Sequence, residues 1–504
     1  MANPHADLVH LVESHAQLWR APNRTPFATF SDADGSVRSV AVGSPGFEGF
    51  VRRLLRTQGV KATRFVVADA VDNAAAAAEE GPVFEPALRC WRSPSEIWID
   101  LCDEARSAVR IRPGGWEIVE AAECPARFLR PERAAPLPKP EPGGGFEEFG
   151  SLLGLDADAV LLVRAFAVGC FLPQGTMPVL CLSGWQGAGK SMLASAIKRI
   201  VDPSLGALSD APVSKRDIMP ALADTYLLAL DNLDGLSHEM SNTLCCVLSG
   251  TSLTARTLHT NLGRTVVETR RPLILGGISN PATRADLVDR SIALELKERS
   301  GEWKRESELL AALESAAPRV FGALCDALAT ALASEPLVPP PSMRLADFAW
   351  FAVASCPTVE LAEATARVLR SNTEESAAST LDDDVFAMAI VDKARERGTF
   401  EATMRELIDP LHADWTRRGE APSNAEAAKR KLDRIGPLLH QCYGIQVEQL
   451  PRTNTRRPYR FTDLNAALRS PAAAGARQVM NTFDPDMFRD APFIGDPGTD
   501  GTAA

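Results

Sequence analysis

The sequence predicts an α/β protein of several domains: a layered strand-and-helix core in mid-chain, a small α/β domain before it, and a mainly helical module after it that closes in a short strand pair. Three observations support this. Strand-like and helical runs alternate over 1–130 and again over 146–336. Two breaks interrupt them, the segment PERAAPLPKPEPGGG at 131–145, expected to be a linker, and the run Pro339, Pro340, Pro341. From 343 to 470 the pattern turns helical and then gives two short strands. The chain has 504 residues, 45% hydrophobic and 24% charged, enough for roughly two to four domains with their own cores.

In the first domain, 26–30, 37–42, 97–101 and 116–119 read as strands and 47–57 as a helix. Asp100 and Asp103 in IWIDLCDEA do not have the spacing of a metal-holding pair on one strand face, and a turn is expected there. In the core, the apolar stretch from Ala159 to Leu172 is broken by Arg164 and is shorter than the roughly 18 residues of a membrane span. It is expected to be a buried helix. MANPHADLVH has no basic segment leading into an apolar one, so the chain is expected to stay in the cytoplasm, away from membranes. Ten cysteines without a C-x-x-C pair point to reduced thiols rather than a zinc ribbon or disulfides. A formal net charge of −11 excludes a protein that coats nucleic acid along its whole surface, so any DNA contact must be local.

The strongest motif is GWQGAGKS. It follows an apolar strand (178–182) and precedes the helical run from Met192 to Ile200, the context in which a Gly-rich loop cradles phosphates with backbone amides at a helix N-terminus. Gly184, Trp185, Gln186, Gly187, Ala188, Gly189, Lys190, Ser191 and Met192 are the expected nucleotide contacts. Lys190 would reach the β and γ phosphates, and the Ser191 hydroxyl would bind magnesium, which makes ATP with Mg2+ the expected ligand. A second apolar strand (226–230) ends at Asp231, placed to orient the metal. Asn232 follows, where hydrolytic motors usually carry Glu. Asp234 is the nearest candidate base, although an Asp before Gly235 also suits a turn. A third strand (272–275) leads through Gly276 and Gly277 to Asn280, a candidate γ-phosphate sensor. Arg284 and Arg290 sit where arginines can act across a subunit boundary.

The order GWQGAGKS, LLALDNLDGLS, LSGTSLTARTLHTN, RPLILGGISNPATRADLVDRSIALEL resembles P-loop ATPases of the AAA+ and superfamily III helicase type, especially the primase-helicase-like ATPases of phages and integrated elements. The resemblance spans about 179–296. It implies a P-loop NTPase core, a ring that is most often a hexamer, and ATP turnover coupled to movement along single-stranded or forked DNA during replication. It gives Lys190, Ser191 and Asp231 the nucleotide and metal roles and Arg290 that of an arginine finger. In such helicases a hairpin like 254–269 enters the channel, where Arg256 and Arg264 would meet the phosphate backbone. Gly276 at the usual sensor position and Asn232 after Asp231 depart from the pattern. Asn232 favours a rival reading, an initiator or loader switched by ATP without unwinding; an antiviral defence or regulatory NTPase is a second rival.

The last quarter gives helices over 382–396, 401–411 and 425–441, the third capped by Ser423 or Asn424, then two strands around PRTNTRR. This resembles a winged helix. Lys429, Arg430, Lys431 and Arg434 on the third helix, with Arg452, Arg456, Arg457 and Arg460 around the wing, form a local basic cluster in an acidic chain. Residues 471–504 have little periodicity and are expected to be disordered.

Overall fold

The computed structural model describes residues 4–466 other than 33–34, 36, 132, 207, 210–214, 251–269, 298–304, 383, 415–420 and 453–456. The expected channel hairpin and the C-terminal tail therefore lie outside the described residues. The chain divides into two compact units, 1–377 and 378–504. The architecture is mixed α/β, with accessory regions before and after a central parallel sheet along the chain.

The first unit begins with α1 (Pro4–His15) and an antiparallel sheet of β1 (Ala16–Arg20), β2 (Pro26–Ser31) and β3 (Val37–Ala41), packed with α2 (Pro45–Thr57) and α3 (Arg64–Glu80). Ser44 and Thr63 cap the two helices through their side-chain oxygens, and Pro45 opens α2 where a missing N–H costs nothing. Phe30 stacks on Phe50 at 4.0 Å to centre this small core. Next, β4 (Glu85–Leu88) pairs in parallel with the later β9 (Ala126–Leu129). Between them lies a four-stranded antiparallel sheet, β5 (Cys90–Arg92), β6 (Ile97–Asp100), β7 (Ser107–Arg112) and β8 (Gly115–Glu120). Asp100 and Asp103 serve the turn after β6. Asp100 is buried against the Arg130 guanidinium and accepts the Cys102 amide, and Asp103 accepts the Ser107 amide at 2.7 Å.

This second sheet is not a free-standing domain. Leu88, Ile97, Ile99, Val109 and Ile111 belong to the same hydrophobic core as the central sheet. Residues 131–145 are likewise a packed strap rather than the flexible linker expected from their Pro and Gly. The Leu137 amide donates to Leu101 O, the Ala135 amide to Pro203 O and the Glu141 amide to Pro318 O at 2.9 Å. Prolines here remove donors that a strap has no ladder to satisfy. Gly322 is a glycine because the Glu141 carbonyl lies where its Cβ would be.

The centre runs α4 (Glu147–Leu153), α5 (Ala157–Gly169), β10 (Val179–Ser183), α6 (Lys190–Val201), α7 (Lys215–Asp224), β11 (Leu228–Leu233), α8 (His238–Ser249), β12 (Leu273–Gly277), α9 (Ala285–Val288), β13 (Ser291–Glu295) and α10 (Glu306–Ala333). The four strands form an all-parallel sheet in the order β11-β12-β10-β13. Inner strands of such a sheet are covered on both faces, which is why β10 and β12 read as unbroken apolar runs. Helix α5 is buried along nearly its whole length. Among the described residues α10 alone is long and apolar enough to cross a bilayer, but its apolar side chains, among them Leu313, Val320, Phe321 and Leu328, lie in the core.

The triple proline does not end this unit. Beyond it α11 (Ala346–Ala354) and α12 (Val359–Asp382) send Phe348, Phe351, Val368 and Leu369 back into the central core.

The second unit has its own core, centred on Phe386, Ile390, Leu407, Leu432, Leu439 and Phe461. Its order is α13 (Val385–Arg397), β14 (Thr399–Thr403), α14 (Met404–Ala413), α15 (Ala425–Tyr443), β15 (Ile445–Gln449) and β16 (Pro458–Asp463). The sheet runs β14-β16-β15, antiparallel throughout, and the module is winged-helix-like. The Gly-Thr-Phe break between the first two helices is itself a strand, because Phe400 stacks on Phe461 of β16 at 4.9 Å. A capping box between Thr403 and Glu406 then starts α14 without a loop.

Candidate functional site

The loop 184–189 joins the C-terminal end of β10 to the first turn of α6. Gly184, Gly187 and Gly189 have φ values of 137°, 86° and 93°, which favour glycine. A Cβ on Gly184 would also lie 2.5 Å from Leu296 O. With Ala188 buried and Trp185, Gln186 and Gly187 exposed, the loop is held from below and open above. Lys190 folds over its own loop, its Nζ donating to Gly184 O (2.7 Å) and Trp185 O (3.0 Å). Ser191 follows on α6, and its hydroxyl donates to Asp231 Oδ2 at 2.5 Å. Met192 is half-buried against the central core.

Asp231 lies at the C-terminal end of β11, across β12 from β10. Its other oxygen accepts the Asn232 amide at 2.9 Å, and Asn232 has φ +55°. Asn tolerates this left-handed geometry better than most side chains, which gives the missing glutamate a backbone reason. The pairing of β11 with β12 is interrupted here, between Leu230 and Leu233. On β12, a Cβ at Gly276 would come within 2.6 Å of Asp231 Oδ1. The space a sensor side chain would need is therefore filled by the carboxylate. Asn280 is held in a local turn, its Oδ1 accepting the Ala282 amide at 3.0 Å, and Asp234 is exposed beside Gly235, whose φ is 134°.

Arg290 is not brought to this site. Its carbonyl accepts the Val179 amide at the start of β10, whereas the glycine-rich loop follows the end of that five-residue strand. At about 3.3 Å per residue the two lie roughly 15 Å apart along the sheet. The Arg290 guanidinium donates to Asp286 O and approaches Cys245 Sγ at 3.9 Å. Arg284 occupies the N-cap position of α9. Gly250 and Arg270, which flank the undescribed 251–269, are in contact, a Cβ at Gly250 falling 3.1 Å from Arg270 Cβ. Arg270 anchors this exit through Leu172 O, Pro173 O and Gly175 O.

A second tie between α6 and β11 was not visible in the motifs. Lys198 on α6 is fully buried, its Nζ donating to Leu227 O at 2.7 Å. Asp202 accepts the amides of Tyr226 (2.8 Å) and Leu227 (3.0 Å) with one oxygen and Arg89 Nε (2.9 Å) with the other. Burial pulls Lys198 down to about 8, against the field of Asp202. The helix that carries Ser191 and the strand that carries Asp231 are thus bound together at both ends. The sequence signal was a lysine in the apolar run of α6.

In the second unit Asn424 caps α15 with both acceptor bonds of its side chain. Lys429 pairs with Asp433 at 2.7 Å; that hydrogen bond holds its ammonium above the usual value, against the opposing charge of Arg457. Arg430 is exposed, 3.9 Å from Glu426. Lys431 is engaged with Asp384 at 2.9 Å, and Arg460 lies between Glu401 (2.9 Å) and Glu448 (3.2 Å), its register partners on either side. Arg452 and Arg457 are exposed. The side chain of Arg434, and Arg256, Arg264 and Arg456, lie outside the described residues.

Comparison with known proteins gives the class first: the chain is a distant relative of replication proteins of mobile elements. Residues 152–383 match the family described as Actinomycete integrative conjugative element replication protein, and 386–474 match the AICE RepA C-terminal domain. No curated protein matches the sequence. Solved structures that align with it include the apo C-terminal region of NrS-1, at 14% identity over 90% of this chain and 98% of that one with a TM-score of 0.40. Another is SCCmec type IV Cch, described as an active helicase, at 11% identity over 90% and 95% with a TM-score of 0.42.

Proposed function

We propose that the chain is an ATP-switched replication initiator of an integrated element, binding MgATP at Gly184–Ser191 and DNA through its C-terminal module. The observation that carries this reading is the facing pair of Ser191 hydroxyl and Asp231 carboxylate at 2.5 Å beside a glycine loop on a helix N-terminus. A hydroxyl and a carboxylate are the donor set of a magnesium site in P-loop proteins, and the metal when bound supplies neutralisation of phosphate charge. Loop amides would take the phosphate oxygens, and Lys190 would exchange its two carbonyl partners for them. Asn232 offers no basic group to activate water, and Asp234 is the nearest carboxylate downstream. Slow turnover suits a switch better than a motor. The replication-family matches across both regions support a role at an element's origin. Arg290, far from its own loop, is a candidate contact for a second copy in a ring.

The test is ATP turnover by the full chain with and without single-stranded, duplex and forked DNA, with Lys190→Ala as blank and strand separation followed in parallel. DNA binding with ATP-dependent assembly and no unwinding supports the initiator. Stimulated turnover with strand separation makes it a helicase, and indifference to DNA points to a regulatory or defence NTPase.

A further inference from the structure

Strand β13 is the edge of the central sheet, and an open edge leaves alternate N–H and C=O groups without partners. Its even-numbered residues face β10: the Arg290 carbonyl accepts the Val179 amide, and the Leu296 amide donates to Ser183 O at 2.8 Å. Ser291, Ala293 and Glu295 therefore face outward. Both outward groups of Ala293 are taken by one side chain from α12. Asn372 Oδ1 accepts the Ala293 amide at 3.0 Å, and its Nδ2 donates to Ala293 O at 2.5 Å. The amide reproduces the two bonds of a neighbouring strand. Asn372 is itself buried, on a helix fixed to the core by Val368 and Leu369.

The register that this clamp holds ends at the phosphate loop. Leu296 closes the ladder on Ser183, the last residue of β10, and its carbonyl is packed so closely under Gly184 that no Cβ fits between. Movement of β13 along β10 carries Leu296 away from Ser183 and removes the floor of the first loop turn. We infer that Asn372 is a positioning residue for the nucleotide loop: by clamping the edge of β13 it fixes Leu296 beneath Gly184 and so sets the loop's competence to hold phosphates. This rests on the reading of Gly184–Ser191 as the nucleotide site.

The experiment measures the affinity of the full-length chain for a fluorescent ATP analogue with magnesium in Asn372→Leu, Asn372→Asp and Asn372→Gln, with thermal melts alongside. Leu removes both bonds, Asp keeps the acceptor, and Gln keeps the whole amide. Expected is a loss of about tenfold in Asn372→Leu, the equivalent of roughly 1.4 kcal/mol. Asn372→Asp, which turns a buried carboxylate oxygen toward the Ala293 carbonyl, should lose at least as much, and Asn372→Gln should recover part of the loss. If Asn372→Leu does not fold, the Asp and Gln variants decide between the same outcomes. Hydrogen exchange across 179–184 and 291–296 reports whether the edge has been released. Released exchange with affinity within twofold of the parent overturns the inference, because the clamp then serves only stability. A parent chain that binds no analogue overturns the nucleotide reading and the inference together, whereas binding by parent and Asn372→Leu alike overturns the inference alone.

Discussion

Gly276 and Lys198 show how much of the site rests on single atoms. Gly276→Ala places a methyl group within 2.6 Å of Asp231 Oδ1. The expected outcome is a loss of magnesium-dependent nucleotide binding of about tenfold or more, read by titrating the metal at fixed nucleotide, with the overall melting point changed far less. Lys198 makes a pH prediction. Its folded value, about 8, lies below the ordinary lysine value of 10.5, so between these limits the unfolded chain binds the extra proton and this group adds stability as pH rises. Chemical denaturation from pH 7.5 to 10.5 should show the parent gaining on Lys198→Met across that window; buried thiols such as Cys181, pushed up to about 12, act in the opposite direction but equally in both chains. The glycine-rich turn between strand and helix and the strand ending near Asp231 were legible because each is a short contiguous pattern. Lys198, Asp202 and Asn372 were not, because their partners, backbone groups and for Asp202 also the distant Arg89, are brought near only by the fold. The motif pointed to Arg290 as well, but not to which end of the sheet it occupies.

At the scale of elements, the sequence of β14 looks like a break because Gly-Thr-Phe resembles a helix stop, and only β16, some sixty residues on, makes it a strand. The same sheet divides the basic cluster. Arg460 is neutralised from both sides by Glu401 and Glu448, while Lys429, half-buried and paired with Asp433, shares an electrostatic neighbourhood with Arg457, which is exposed to solvent. DNA affinity measured against salt concentration should therefore lose about two from its log–log slope in the double variant Lys429→Ala, Arg457→Ala, at roughly 0.9 per phosphate contact. Arg460→Ala should leave the slope unchanged. Equal effects of all three residues would show that the Glu401–Arg460–Glu448 row opens when DNA arrives.

For the whole molecule, the sequence placed domain seams at proline-rich segments, and packing moved them. The strap 131–145 and the helices after Pro341 are both part of the central core, because prolines stop ladders and helices but do not stop burial. A fragment beginning at 146 should therefore fail to fold as a stable unit. It loses Arg89, the buried partner of Asp202, and breaking such a pair alone costs about 3–5 kcal/mol. Arg89→Ala in the full chain checks this by denaturant titration. A fragment from 378 onward, which keeps the whole of the second hydrophobic core, should retain its helical signal and its salt-dependent DNA affinity.

The Arg89–Asp202 pair also has a consequence for synthesis. Its partners are 113 residues apart in the chain, and Trp116, which donates to Asp326, waits for a residue 210 positions later. At roughly 5–20 residues per second the β5–β8 sheet leaves the ribosome about 10–40 s before the helix that covers it. For that interval Ile97, Ile99, Val109 and Ile111 have no α10 to bury them. Nascent chains of this protein, more than its finished form, are where chaperone demand and aggregation will concentrate.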